Sequence, residues 1–334
     1  MLPVLCLASG LATTHTLAGP VPDYDFDWAT IGDVGNAPYT KTMGPNIGDQ
    51  VGSVGYKYRI ATTEVTSSQW SEFATAYAPY VPELVTYQTQ FGGRFNRRRE
   101  NPDGSVYYTP ISGTENVGEM VGWEFALAFS NWLHNGKINE QWAFETGVYD
   151  LRHTWWNDPD GGTAIPERSP DARFWLPTED EWIKAMHYDP NRNGLGQGGY
   201  WLYPDSSDTP LVPGYPEDFG QTDAGLDIGD PNAHYVPVGS YADVMSPWGL
   251  FDGSGGAKEF VNGYDPEREW MTVLGSERFD PSPEYWDLME ASFPASSLSF
   301  WGFRLASTVP APGLASWLCV GTCLLARHRS RRIQ

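Results

Sequence analysis

FWLPTEDEW, from Phe174 to Trp182, is the stretch from which the rest of the chain can be read. Thr178 and Glu181 stand at the spacing of a capping box, in which each side chain satisfies a backbone amide that the first helical turn leaves unpaired. Trp182, Ala185 and Met186 follow at helical spacing, so a helix is predicted to begin at Thr178. Thr66 and Gln69 repeat the box ahead of Trp70, Phe73, Ala74 and Tyr77. A further helix is expected over Gly122 to Leu133, GWEFALAFSNWL, which is apolar nearly all round and hence buried on most of its surface. Elsewhere the pattern changes. Trp28 to Thr66 alternates apolar residues with glycine-rich turns and sets Val54, Tyr56, Tyr58 and Ile60 on one face of a strand. Asn191 to Tyr235 reads as long irregular structure, with a short aromatic strand from Tyr200 to Tyr203. Two or three helices in a glycine-rich, strand-containing body make an α+β fold, not a βαβ alternation.

The ends read as addresses, outside that body. Residues 1–18 form an apolar stretch with Thr16 and Ala18 ahead of Gly19, as a signal peptide requires, although no Lys or Arg precedes it. Residues 308–334 give a proline-containing linker, an apolar segment from Leu314 to Ala326, and then Arg327, Arg329, Arg331 and Arg332. That apolar segment is short for a membrane span of about 20 residues. The arginines should remain cytoplasmic. The expectation is an exported chain with a transient membrane anchor and one domain, residues 19–307, between the ends.

Composition narrows the function. The formal charge is -21, and it is more negative still without the tail arginines. Such a surface repels nucleic acid and anionic membranes, so no nucleic-acid partner is expected and membrane contact is confined to the terminal segment. Cys6, Cys319 and Cys323 all lie in the two ends. The domain between them has no disulfide to form, and must be held by its core, for which all of the chain's 15 tryptophans but Trp317 provide material.

Five blocks, taken together, carry a resemblance. They are YRIATTEVTSSQW (Tyr58 to Trp70), VGWEFALAFSNWL (Val121 to Leu133), FWLPTEDEW, SPWGLFDGSGGAKEF (Ser246 to Phe260) and WGFRLAS (Trp301 to Ser307). In order and spacing they resemble the sulfatase-modifying factor, or formylglycine-generating enzyme, family. The resemblance implies a variant of the C-type lectin fold with little regular secondary structure and with calcium commonly bound. The tail is similar to the tripartite carboxy-terminal sorting signal of Gram-negative bacteria that begins Val-Pro-Glu-Pro, with Ala311 in place of the glutamate. It implies the periplasm, cell surface or extracellular matrix of such a bacterium.

Departures from the family set the functional expectation. Its enzymes carry two cysteines between a Gly-Gly-Ser-Trp type turn and the terminal Gly-Phe-Arg block, whereas here Leu274 to Arg304 holds none. Without thiolate there is no soft ligand for Cu(I), so copper and formylglycine formation are not expected. In the block that gives the family calcium ligands, Glu259 is kept, the usual asparagine is Gly256, and Lys258 stands where an aromatic packs. Asn232 lies where another family ligand lies, so Asn232 and Glu259 are the calcium candidates, with Lys258 as an alternative occupant of the cation position. His134, His153, His187 and His234 show no close ligand pairing. Asp189, Asn191, Asn193 and Gly194 match half of an EF-hand loop, but Tyr200 replaces the closing glutamate and an Asx-rich turn is expected.

Two readings follow. In the first, the domain is a non-catalytic recognition module for an extracellular glycan, peptide or matrix polymer. Trp155, Trp156, Tyr200 and Trp201 would stack on the ligand, with Asp158 and Asp160 at the rim. In the alternative, a metal-dependent oxidoreductase of the same superfamily uses a non-cysteine site drawn from Glu277, Asp280 and His234.

Overall fold

The computed structural model describes residues 21–40, 50–152, 166–226, 234–265, 270–280, 293–295 and 300–310. Asp23–Val309 forms one unit; Met1–Pro22 and Pro310–Gln334 form another, of which only residues 21, 22 and 310 are described. The expected signal segment and nearly all of the tail therefore lie outside the described residues. Among those residues no helix is long and apolar enough to cross a membrane.

Both capping boxes form. Thr66 and Gln69 open α1 (Ser67–Tyr77), followed by the short α2 (Thr89–Gly92), α3 (Trp123–His134) and α4 (Gln141–Glu145). Thr178 and Glu181 open α5 (Glu179–His187). Helix α3 is buried along almost its whole length, as its all-round apolar sequence demands. Its Phe129 sits 5.3 Å from Phe73 of α1, while Tyr77 stacks on Phe144 of α4 at 4.4 Å. These ring pairs add specific geometry to a core already driven by apolar burial.

Strands β1 (Trp28–Ile31), β2 (Tyr58–Ala61), β5 (Phe174–Trp175) and β11 (Ala306–Ser307) make an antiparallel sheet in the order β1-β2-β11-β5. A hairpin pairs β3 (Asn96–Glu100) with β4 (Val106–Pro110). Another pairs β6 (Tyr188–Asp189) with β7 (Gly199–Tyr200). Strand β9 (Trp270–Leu274) lies between β8 (Glu259–Asp265) and β10 (Phe293–Ala295). The body is thus α+β, with helices and small sheets. One expected strand is shorter than its pattern: Val54 and Tyr56 precede β2, all four residues of which are buried. Period-2 alternation fails there because β2 is an inner strand covered on both faces. Likewise, of the aromatic strand expected over Tyr200 to Tyr203, only Tyr200 lies in β7, while Tyr203 makes an isolated bridge to Ser207.

The junction of these parts is Arg304, which is fully buried. Its guanidinium donates to both carboxylate oxygens of Glu259, at 2.7 and 2.5 Å, and to the carbonyls of Thr62 at 3.1 Å and Phe251 at 3.0 Å. Trp182 of α5 donates its indole N–H to the same carboxylate at 2.9 Å. One side chain therefore joins β8, the end of β2, the loop before β8 and, through Glu259, α5. Beside it, three consecutive amides each meet a side-chain oxygen: Gly255 to Ser276, Gly256 to Asp223 and Ala257 to Glu64. A Cβ on Gly256, whose φ is +62°, would lie 2.9 Å from a Glu64 oxygen, so glycine replaces the family's asparagine where Glu64 fills the space.

Removing one partner of a buried ion pair leaves an uncompensated charge, at a cost of about 3–5 kcal/mol. Arg304→Met is expected to destabilise the chain by that amount in urea unfolding, and Arg304→Lys to recover little, since an ammonium cannot reproduce the forked contacts. Burial pushes the Asp252 carboxyl up to about 7, opposed by the Gly239 amide and Arg304 and reinforced by Asp223 and Glu259. The folded chain keeps this proton where the unfolded chain releases it. Its contribution is complete below the ordinary carboxylate range and is lost as pH rises to about 7. Asp252→Asn, which suits the left-handed backbone at φ +56°, should flatten the fall in urea midpoint across that window.

Candidate functional site

Gly275 leaves β9 at φ +78°, with Trp182 3.7 Å from where a Cβ would stand, and starts a turn that runs to Asp280. Ser276 is buried beneath it. Asp280 then caps its own turn: its Oδ2 accepts the Glu277 amide at 2.7 Å, while its amide donates to the Glu277 carbonyl at 3.0 Å. Its Oδ1 accepts from Lys258 Nζ at 2.5 Å. Both side chains are over nine-tenths buried. Strand alternation at the start of β8 sends Lys258 to Asp280 and Glu259 to Arg304 on opposite faces. Glu277 is partly exposed; burial raises its carboxyl, Lys258 and Arg94 oppose the rise, and Asp280 adds to it.

Two arginines flank this turn. Arg94 lies over the rings of Phe279 and Phe300, at 5.3 and 5.8 Å. It follows Gly93, where φ is +88° and a Cβ would fall 2.6 Å from the Glu119 carboxyl carbon. Glu119 braces the segment, accepting from the amides of Phe95 and Met120 and from Asn96 Nδ2. Burial pushes this carboxyl up to about 8 against those donors. Arg278, itself buried, lies over Tyr215 and Tyr235 at 5.7 Å each, donates to the Tyr215 hydroxyl at 2.7 Å and to the His234 carbonyl. His234 stacks on Tyr215 at 4.2 Å, and Tyr235 meets Phe95 edge-on at 4.5 Å. The result is a partly exposed surface of aromatic rings held by guanidinium planes. Rings and arginines of this kind supply most binding energy at recognition surfaces.

The residues singled out in the sequence divide. Glu277 and Asp280 come together in one turn, and His234 reaches it through its carbonyl on Arg278. Tyr200 and Trp201 lie elsewhere, on the β6–β7 hairpin. The Tyr200 hydroxyl accepts from Asn36 at 2.8 Å and donates to the Gly52 carbonyl at 2.8 Å, and Trp201 donates to Asp189 at 3.3 Å beneath Arg192. Trp155, Trp156, Asp158, Asp160, His153 and Asn232 lie outside the described residues. Glu259 has both oxygens engaged by Arg304 and Trp182, and Lys258 turns away to Asp280. In this arrangement Glu259 does not fit as a calcium ligand, since a cation there would face the guanidinium. No group of three or more His, Cys, Asp or Glu side chains among the described residues is placed to hold a metal ion. His134 accepts the Arg173 amide, and burial pushes His187, hydrogen-bonded to the Trp201 carbonyl, down to about 3. Asn191 donates its amide to Asp189 at 2.7 Å, the bond of an Asx turn. Arg94, Arg278, Tyr215 and Tyr235 went unnoticed in the sequence, although RFNRRRE (Arg94 to Glu100) is a basic run in an acidic chain.

No curated protein matches the chain. Among solved structures, a crystal structure of CarF is similar with a TM-score of 0.50 at 17% identity, covering 86% of this chain and 99% of that one. Treponema denticola variable protein 1 is similar with a TM-score of 0.52 at 18% identity, over 85% of this chain and 95% of its own. At such identities the likeness shows the fold alone. The sulfatase-modifying factor enzyme 1-like domain matches residues 41–309, which take in every block of the sequence that carries the resemblance. The chain belongs to that family.

Proposed function

We propose that this protein is an exported, non-catalytic recognition module of its family, binding a glycan, peptide or matrix polymer at the surface or in the matrix of a Gram-negative bacterium. The observation that carries the reading is the buried Lys258–Asp280 pair, whose turn opens Leu274 to Arg304, the cysteine-free stretch in which the resemblance implies the family's thiols. Around it Arg94, Tyr215, Tyr235 and Phe279 offer planar faces. The binding face proposed from the sequence around Tyr200 and Trp201 moves to this cluster. The lectin-like form of the fold belongs to the same proposal, as do the signal peptide and the sorting tail that would deliver the domain.

An oxidoreductase with a non-cysteine metal site is the weaker reading. Asp280 is engaged by Lys258 and the Glu277 amide, and the His234 ring is stacked on Tyr215, so the three candidates do not converge.

Elemental analysis of the full chain, produced in a periplasm and never exposed to chelator, is expected to find calcium alone or no metal. Stoichiometric copper or iron would overturn the non-catalytic reading. A structural role for the buried pair has its own signature. Lys258→Met alone should cost about 3–5 kcal/mol in urea unfolding, and adding Asp280→Asn, which removes the buried charge and keeps an oxygen for the Glu277 amide, should restore most of the loss. Failure of the second change to restore stability would show that the pair does more than hold the turn.

A further inference from the structure

Strand β3 leaves the aromatic cluster and carries its outer face away from it. Residues two apart on a strand share a face, so Phe95, in contact with Tyr235, is followed on the same side by Arg97 and Arg99. Across the hairpin Thr109 pairs with Arg97 and Tyr107 with Arg99. The other face is internally engaged: Arg98 stacks on Tyr87 at 4.1 Å and donates to Thr86 and Glu100, and Tyr108 is buried. The Arg97 and Arg99 side chains are exposed, and neither guanidinium makes a hydrogen bond or ion pair among the described residues. Exposed arginines with no carboxylate partner are out of place in a chain with 42 acidic residues against 21 basic ones.

We propose that the Arg97, Arg99, Tyr107 and Thr109 face of the β3–β4 hairpin binds an acidic, carboxylate-bearing polysaccharide as an extension of the aromatic cluster at Phe95 and Tyr235. This deepens the recognition reading and rests on it. The two side chains leave the strand about 6.6–6.8 Å apart, and a guanidinium fork matches a carboxylate two bonds at a time. Tyr107 offers a ring beside them for a sugar face, and Thr109 offers a hydroxyl. The dimensions select a single polymer chain. Two strands of five residues present a face of about 17 Å by 10 Å, far below the roughly 800 Å² per partner of a stable protein interface. An acidic peptide would more readily add along a strand edge, using backbone amides instead of these side chains.

The test is calorimetric titration of the full chain with size-defined oligogalacturonate at about 20 mM salt, where screening is weak. Arg97→Glu/Arg99→Glu is expected to lower affinity at least about tenfold with an unchanged thermal midpoint, and Arg97→Lys/Arg99→Lys to lose only part of it. Equal affinity in the glutamate variant, or no binding by the unaltered chain, would overturn the proposal. So would equally tight binding of polyglutamate lost in the same variant, which would mark an acidic peptide, or charge-sensitive self-association, which would mark a second copy. Tyr235→Ala separates the two levels. If it abolishes oligogalacturonate binding while Arg97→Glu/Arg99→Glu does not, the recognition surface stands and the arginine face fails. If binding is lost only with the arginines, the arginine face stands without the aromatic cluster.

Discussion

A dry guanidinium is tolerable only if nearly all its donors find acceptors, and Arg304 imposes that condition on everything around it. Its carboxylate partner must come from β8, its carbonyl partners from the end of β2 and from the loop at Phe251, and α5 must approach closely enough for Trp182 to share Glu259. The positions of helices and sheets are thus linked through one polar centre inside an aromatic core. Apolar burial supplies most of the driving force, but it is nearly indifferent to register. The forked contacts of Arg304 are not, and they select one arrangement among many that would bury the same area.

That distinction explains what could be read from the sequence. Helix starts at Thr66 and Thr178 were legible because a capping box is complete within four residues. The burial of α3 was legible because its apolar residues run all round the helix. The end of the α+β reading that failed was β2, where Val54 and Tyr56 fit an alternating pattern but only Tyr58–Ala61 is paired. The extent of the strand matches its four pairs with β1, and its second flank is covered by β11, a partner remote in sequence that no local pattern announces. The site divides in the same way. Glu277 and Asp280 are neighbours in the chain and fall in one turn, whereas Arg94, Tyr215 and Tyr235 meet only through tertiary packing. Glu259 shows a further limit: a residue kept from a metal-binding block can serve the core through an arginine instead.

The turn at Gly275–Asp280 concentrates charge in a small space. Lys258, Glu277 and Asp280 border it, with Arg94 beside the turn and Arg278 within it. Among the described residues Lys258 and Asp280 satisfy each other, and the rings nearby are partly exposed. The proposed recognition role depends on shape and planar contact more than on proton or electron transfer. The bracing by Glu119, three donors to one carboxylate, serves that end by fixing the segment that presents Arg94.

Strand β11 lies between β2 and β5 and, among the described residues, joins them. During synthesis β2 and β5 emerge early and mid-way, and neither has its shared neighbour until Ala306 and Ser307 follow. Arg304, two residues ahead, arrives equally late to Glu259. Contacts that span most of a chain close slowly. Closure of the sheet therefore waits on residues 304–307, which the chain supplies long after the strands that they join.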